Sequence, residues 1–110
     1  MNLTNRMGEL HLAAGQMEEA HLWFALFLEE GQAFSAKFPD FPRAQRMLGV
    51  AHYKQFELAK AETRQQDAAD ALASSLQVFR RMEADGLLAA ADAGVPAALE
   101  QELADFKASW

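Results

Sequence analysis

Met7 to Leu28 reads MGELHLAAGQMEEAHLWFALFL. Its last eight residues, His21 to Leu28, include seven apolar side chains. As a helix, eight residues pass more than twice round the axis, so the apolar surface nearly encircles it. The run is too short to cross a membrane, which takes about 20 apolar residues. It is flanked by Glu18, Glu19, Glu29 and Glu30, which favour water. Protein therefore has to cover more than one side of it. The upstream half explains part of that cover. Gly8 and Ala20 are small enough to let two helices approach closely, Phe24 fills the space beside the crossing, and Gly15 permits a tight turn between them.

The same helical reading extends in both directions. Strand-like alternation is absent, there is no Ile, and Gly and Pro fall at a few punctuating places. Five segments follow. The first runs from about Asn2 to Ala14, ahead of Gly15. The second runs from about Met17 to Lys37, with Phe24, Leu28, Gly31, Phe34 and Phe38 at helical spacing, and stops at Pro39. The link FPDFP leads to the third, Pro42 to about Thr63, apolar on more than one side. The fourth, about Gln66 to Ala84, carries a Leu72, Leu76, Phe79, Met82 stripe and closes at Gly86. A connector, LLAAADAG, has room for a short helical turn. The last begins at Pro96 and places Leu99, Leu103, Phe106 and Trp110 on one line, as a lid over an otherwise exposed end.

At 110 residues and 51% hydrophobic, the chain is one domain in size and can build a real core. Without Cys it has no disulfide, thiolate metal site or Cys nucleophile. The opening MNLTNRMGEL lacks the basic-then-apolar pattern of a leader, so a cytoplasmic location is expected. The net charge of −6 argues against nucleic acid. Its distribution is uneven. Residues 1–36 carry 1 − 5 = −4, residues 37–64 carry 6 − 3 = +3, and residues 65–110 carry 3 − 8 = −5. The middle is a basic island in an acidic protein.

Met7-Gly8, His11, Gly15, Ala20, Phe24 and Phe27-Leu28 together resemble the signature of the tetratricopeptide repeat, with His11 in the place of a Tyr and Phe27 in the place of a small residue. A second copy is weaker. It aligns on Phe56, Lys60, Arg64, Ala69, Leu72 and Leu76, or alternatively on Leu48-Gly49 with Ala61. The resemblance is to degenerate, long-helix repeats of the kind found in bacterial proteins. It implies an all-α fold of about two helical hairpins, residues 2–38 and 42–85, with a capping helix over 96–109. It also implies that a protein or peptide partner lies on the concave surface formed by the first helices, and that His11 is a core residue. The carboxylate clamp common in the family is disfavoured, because Glu9 stands on that surface.

Motifs for phosphate loops, nucleophile elbows and paired metal-binding histidines are absent. No catalytic residue, metal site or cofactor is expected, and the chain reads as a non-enzymatic interaction module, an adaptor or chaperone. The candidate partner-binding residues are Asn5, Glu9 and Leu12 of the first segment and Arg43, Arg46, Val50, Tyr53 and Lys54 of the third. Arg43, Arg46 and Lys54 fall at i, i+3 and i+11, with Val50 and Tyr53 near the same line. That combination suits an acidic partner carrying apolar anchors. The alternatives are a structural domain that forms a homodimer through Trp23 and Leu26, and a regulatory domain of a larger protein.

Overall fold

The computed structural model describes residues 2–110, which form five α-helices and no strand. They are α1 (Leu3–Ala13), α2 (Met17–Lys37), α3 (Pro42–Ala61), α4 (Gln65–Ala84) and α5 (Val95–Ala108), with a short 3-10 turn, Ala90–Asp92, before α5. The fold is all-α, as the sequence requires. Among the described residues no helix is long and apolar enough to cross a membrane.

Local chemistry sets the helix ends. Asn2 caps α1, its side chain accepting from the Asn5 amide at 3.0 Å. Pro42 opens α3 and Pro96 lies in the first turn of α5, where a missing N–H costs nothing. Three helices end the same way. Gln16 N donates to His11 O and Gly15 N to Leu12 O. Arg64 and Thr63 repeat this pattern to Ala59 and Lys60, and Leu87 and Gly86 repeat it to Met82 and Glu83. This closure places one residue in the left-handed region. Gly15 (φ 75°) and Gly86 (φ 71°) accept that without strain, whereas Thr63 (φ 57°) is β-branched and does not.

Each helix packs chiefly on the next in sequence, and α1 also touches α3. The expected close crossing of α1 and α2 is present. A Cβ on Gly8 would run into the ring of Phe24, and Ala20 and Phe24 are fully buried. The crossing recurs in the second hairpin, where a Cβ on Gly49 would stand 2.6 Å from Phe79 Cε2. The buried Ser75 hydroxyl donates to Gly49 O at 2.8 Å there, in the place that Ala20 holds in the first hairpin. The Leu48-Gly49 alignment therefore holds for the first helix of the pair, where Gly49 takes the place of Gly8, but fails in the second, where Ser75 and not Ala61 takes the place of Ala20; the alignment on Phe56 matches neither helix. Both helices of the second hairpin are one heptad longer between crossing and turn, so no single offset relates the two hairpins.

The main core joins Phe56 and Ala59 of α3 to Ala68, Leu72, Leu76, Phe79 and Met82 of α4, and Leu99 of α5 closes it. Leu103 and Phe106 extend the lid, and the Phe106 ring meets Phe56 edge-on at 5.4 Å. Trp110 lies past the end of α5, 51% exposed, and touches only the edge of this stripe through Phe106. A second cluster places Leu58 of α3 against Ala20 and Phe24 of α2. His11 is half-buried, with Nδ1 2.5 Å from Gln16 Oε1 at the hairpin turn, and does not enter either core cluster.

Thr63→Gly should stabilise the protein by about 1 kcal/mol by relieving the left-handed strain, read as a rise in the thermal midpoint of roughly 4 °C. At the second crossing, Gly49→Ala should cost about 1–3 kcal/mol through overpacking, after the gain in helix propensity is set against it. Adding Phe79→Leu should then cost less than it does alone, because the smaller side chain makes room for the new methyl. Denaturant midpoints of the four proteins in the cycle measure the coupling. Strict additivity would mean that the ring does not fill the glycine notch.

Candidate partner-binding groove

The side where α1 meets α3 gathers the residues singled out from sequence. Asn5, Arg43, Arg46 and Val50 line one cavity of about 430 Å³, together with Asn2, Phe27, Phe34 and Met47. Leu12 and Tyr53 line a second cavity of about 470 Å³, together with Phe56, Glu57, Lys60, Ala61 and Glu102. Lys54 lies across the groove. Its Nζ is 3.1 Å from Glu9 on α1 and 2.9 Å from Glu57 on its own helix. Glu9 falls between Asn5 and Leu12 along α1, so this bridge partitions the groove.

Most of the basic island is engaged inside the fold. The Lys54 side chain is only 17% exposed. Burial pulls its pKa down, but the hydrogen bonds to Glu57 and Glu9 prevail and leave it above the usual amine value. Arg46 Nε donates to Asp92 Oδ2 at 2.8 Å, which ties the 3-10 turn to α3. Arg64 pairs with Glu62 and Asp67, each at 2.8 Å. The Arg64 guanidinium, then His21 at 2.7 Å, hold the Glu62 carboxyl below its usual range. Lys60 lies 5.7 Å over the Phe56 ring, and Lys37 lies 5.6 Å over the Phe38 ring. Of the island's cations, Arg43 alone has neither an acidic partner nor a ring among the described residues.

The first cavity has an apolar floor in Phe27, Phe34, Met47 and Val50, two arginines at its rim, and no carboxylate in its lining. Asn5 Oδ1 is buried and has no hydrogen-bond partner among the described residues. A buried acceptor without a donor is costly. The second cavity is different in kind. Tyr53 OH donates to the Glu102 carboxylate at 3.0 Å, and Glu57 and Glu102 set acids against Lys60. Phe34 and Met47 carried no functional signal in the sequence, since both read as core.

On the far side of α2, Leu26 is 46% exposed, whereas Trp23 is half-buried. The more exposed neighbour of Leu26 is Leu22, at 65% and one turn earlier. Glu30, a flanking acid of the apolar run, is engaged within the fold, with the Thr4 hydroxyl 2.5 Å from its Oε1. Among the described residues there is no group of three His, Asp or Glu side chains placed to hold a metal ion.

Tyr53 is the one tyrosine of the chain, so its ionisation can be followed without ambiguity by absorbance near the phenolate band. Burial first, then the hydrogen bond and charge of Glu102, then the charge of Glu57, raise its pKa well above the ordinary 10. The folded value exceeds the unfolded one, so this group's contribution to stability is complete below pH 10 and is lost as pH rises above it. The expected titration midpoint lies well above 10 in the native protein, and Glu102→Gln should lower it. A midpoint at the free-phenol value would mean that α5 does not cover Tyr53. No family model, no curated protein and no solved structure matches this chain.

Proposed function

We propose that the chain is a non-enzymatic interaction module that binds an acidic protein segment in the groove between α1 and α3. The observation that carries this reading is the cavity with an apolar floor, an arginine rim and no lining carboxylate, in a protein that is otherwise acidic. Arg43 supplies a cation that no internal acid holds. The hairpin signature through Met7-Gly8, Gly15, Ala20 and Phe24, similar to tetratricopeptide repeats, supports an adaptor or chaperone role on a surface built from first helices. Lys54, Glu9 and Tyr53 shape the groove but are occupied with one another and with Glu57 and Glu102.

Self-association through α2 is the second reading, and Leu22 and Leu26 favour it by their exposure. Charge weighs against it. A symmetric contact between two copies of α2 would bring Glu18, Glu19 and Glu29 of each copy near the other's.

Selection of random peptides displayed on phage against the intact protein tests the groove reading. The expected peptides combine Asp or Glu with a bulky apolar residue. Their affinity should fall as salt rises from about 50 to 500 mM, where the screening length drops below its ~10 Å value at 0.1 M. Arg43→Glu should weaken them at least tenfold, or about 1.4 kcal/mol, with an unchanged helical circular dichroism spectrum. Selected peptides that are basic, or that ignore Arg43→Glu, would exclude this groove as the site.

A further inference from the structure

We propose that the aromatic corner between α2 and α3 is an anchor pocket, which takes one bulky apolar side chain from the same acidic segment whose carboxylates meet Arg43 and Arg46. The inference rests on the groove reading above and assigns that segment a register. Phe34, Phe38 and Phe41 form a triad with centroids 5.7, 5.7 and 6.4 Å apart and ring planes steeply inclined to one another. Together with Lys37, Pro39 and Asp40 they line a cavity of about 580 Å³.

The rings stay open to solvent on a braced link. Phe38 is 46% exposed and Phe41 45% exposed. Gln45 Nε2 donates to Pro39 O at 2.8 Å, Phe41 N donates to Phe38 O at 3.1 Å, and Pro42 begins α3 directly after them. An apolar site held in shape before binding loses little entropy on closing. A rigid aromatic patch rimmed by polar groups is the usual mark of an interaction surface.

Two observations define the occupant. Phe34 lines both this cavity and the arginine-rimmed one, so the two adjoin at this ring and lie within reach of one short segment. The charge along that path is basic, with Lys37 and Arg43 beside Asp40 and no carboxylate in the lining of the arginine-rimmed cavity. An extended segment advances about 3.3–3.6 Å per residue. Phe41 and Arg43 are two positions apart, so the anchor and the first acidic residue should be separated by about two to four residues. A lipid surface fits less well. Asp40 stands within the patch, and the acidic remainder of the molecule would be repelled by anionic headgroups.

The test uses the full chain and fluorescence anisotropy with synthetic peptides. One set carries Phe and an Asp-Glu pair at spacings of about two, three and four residues. A second set has Ala for Phe, and a third has Asn-Gln for Asp-Glu. The best anchored acidic peptide should bind at least tenfold tighter than either of its controls. Phe38→Ala with Phe41→Ala should reduce it to the affinity of the Ala peptide, while Arg43→Glu should weaken the anchored and Ala peptides alike. Both rings are nearly half exposed, so the double variant should keep its fold, which a circular dichroism melt verifies. If the double variant binds the anchored peptide undiminished while Arg43→Glu weakens it, the groove stands and the anchor pocket falls. If none of the peptides binds at millimolar concentration, both fall. Binding to phosphatidylserine-containing vesicles, or a dimer by light scattering, that is lost in the double variant would overturn the anchor in favour of a membrane or a second copy.

Discussion

A glycine receiving a neighbour at each of the three contacts from α1 to α4 sets the spacing of the two hairpins. Gly8 receives the Phe24 ring between α1 and α2, and Gly49 receives the Phe79 ring between α3 and α4. Between the hairpins a Cβ on Gly31 would stand 3.2 Å from Leu48 Cα, so there backbone meets backbone. Each glycine inside a helix costs about 1 kcal/mol relative to Ala. Burial of a Phe side chain returns roughly 1.5–3 kcal/mol, and only the notch lets the ring sit at the crossing. With α2 drawn this close to both neighbours, α1 and α3 come near enough for Glu9 to reach Lys54. The groove is a consequence of that spacing.

α3 carries the heaviest demands. Ala44, Ala51 and Leu58 recur every seven residues, are all fully buried, and share a line with the Leu58 contact to α2. Gly49 and Phe56 face α4. A helix sandwiched on two sides keeps only narrow strips for polar residues, and one of them holds Arg43, Arg46, Val50, Tyr53 and Lys54. Acids arrive opposite that strip from three other elements: Glu9 from α1, Asp92 from the 3-10 turn and Glu102 from α5. The basic island is therefore mostly the internal counter-charge of an acidic fold. What escapes neutralisation is its N-terminal end, where no acidic element overlies Arg43.

The first hairpin was legible because its cues are local: a small residue, a turn glycine and a large aromatic within a few turns of one another. The second was legible as helices but not as a repeat. Its turn residue is Thr63, which no sequence rule places at positive φ, and the added heptads shift Gly49 and Phe79 by different amounts from Gly8 and Phe24. The repeat resemblance assigned Asn5, Glu9 and Leu12 to one surface with the third helix, and in the structure Asn5 lines a cavity with Arg43, Arg46 and Val50, Leu12 lines one with Tyr53, and Glu9 pairs with Lys54. The resemblance could not show that Lys54 is consumed by Glu9, because that pairing depends on how closely α1 and α3 approach. Phe41 read as linker for a related reason. Periodicity places Phe38 one turn after Phe34 but ends at Pro39, so nothing in the pattern indicates that Phe41 converges on them.

Arg46 has a part that neither its charge nor its exposure reveals alone. It donates Nε, and more weakly Nη2 at 3.5 Å, to an Asp92 carboxylate that is 13% exposed, while its own side chain is 56% exposed. A guanidinium has five N–H donors, so the pairing leaves some of them for a second acceptor. A carboxylate entering the first cavity can be met by Arg46 without displacing Asp92. Because Asp92 fixes the turn that leads directly into α5, such a ligand would rest on the same side chain that positions the lid. Losing the Asp92 carboxylate would thus free Arg46 for the ligand but loosen α5. In the proposed complex one side chain would touch both the ligand and the turn that anchors the C-terminal helix.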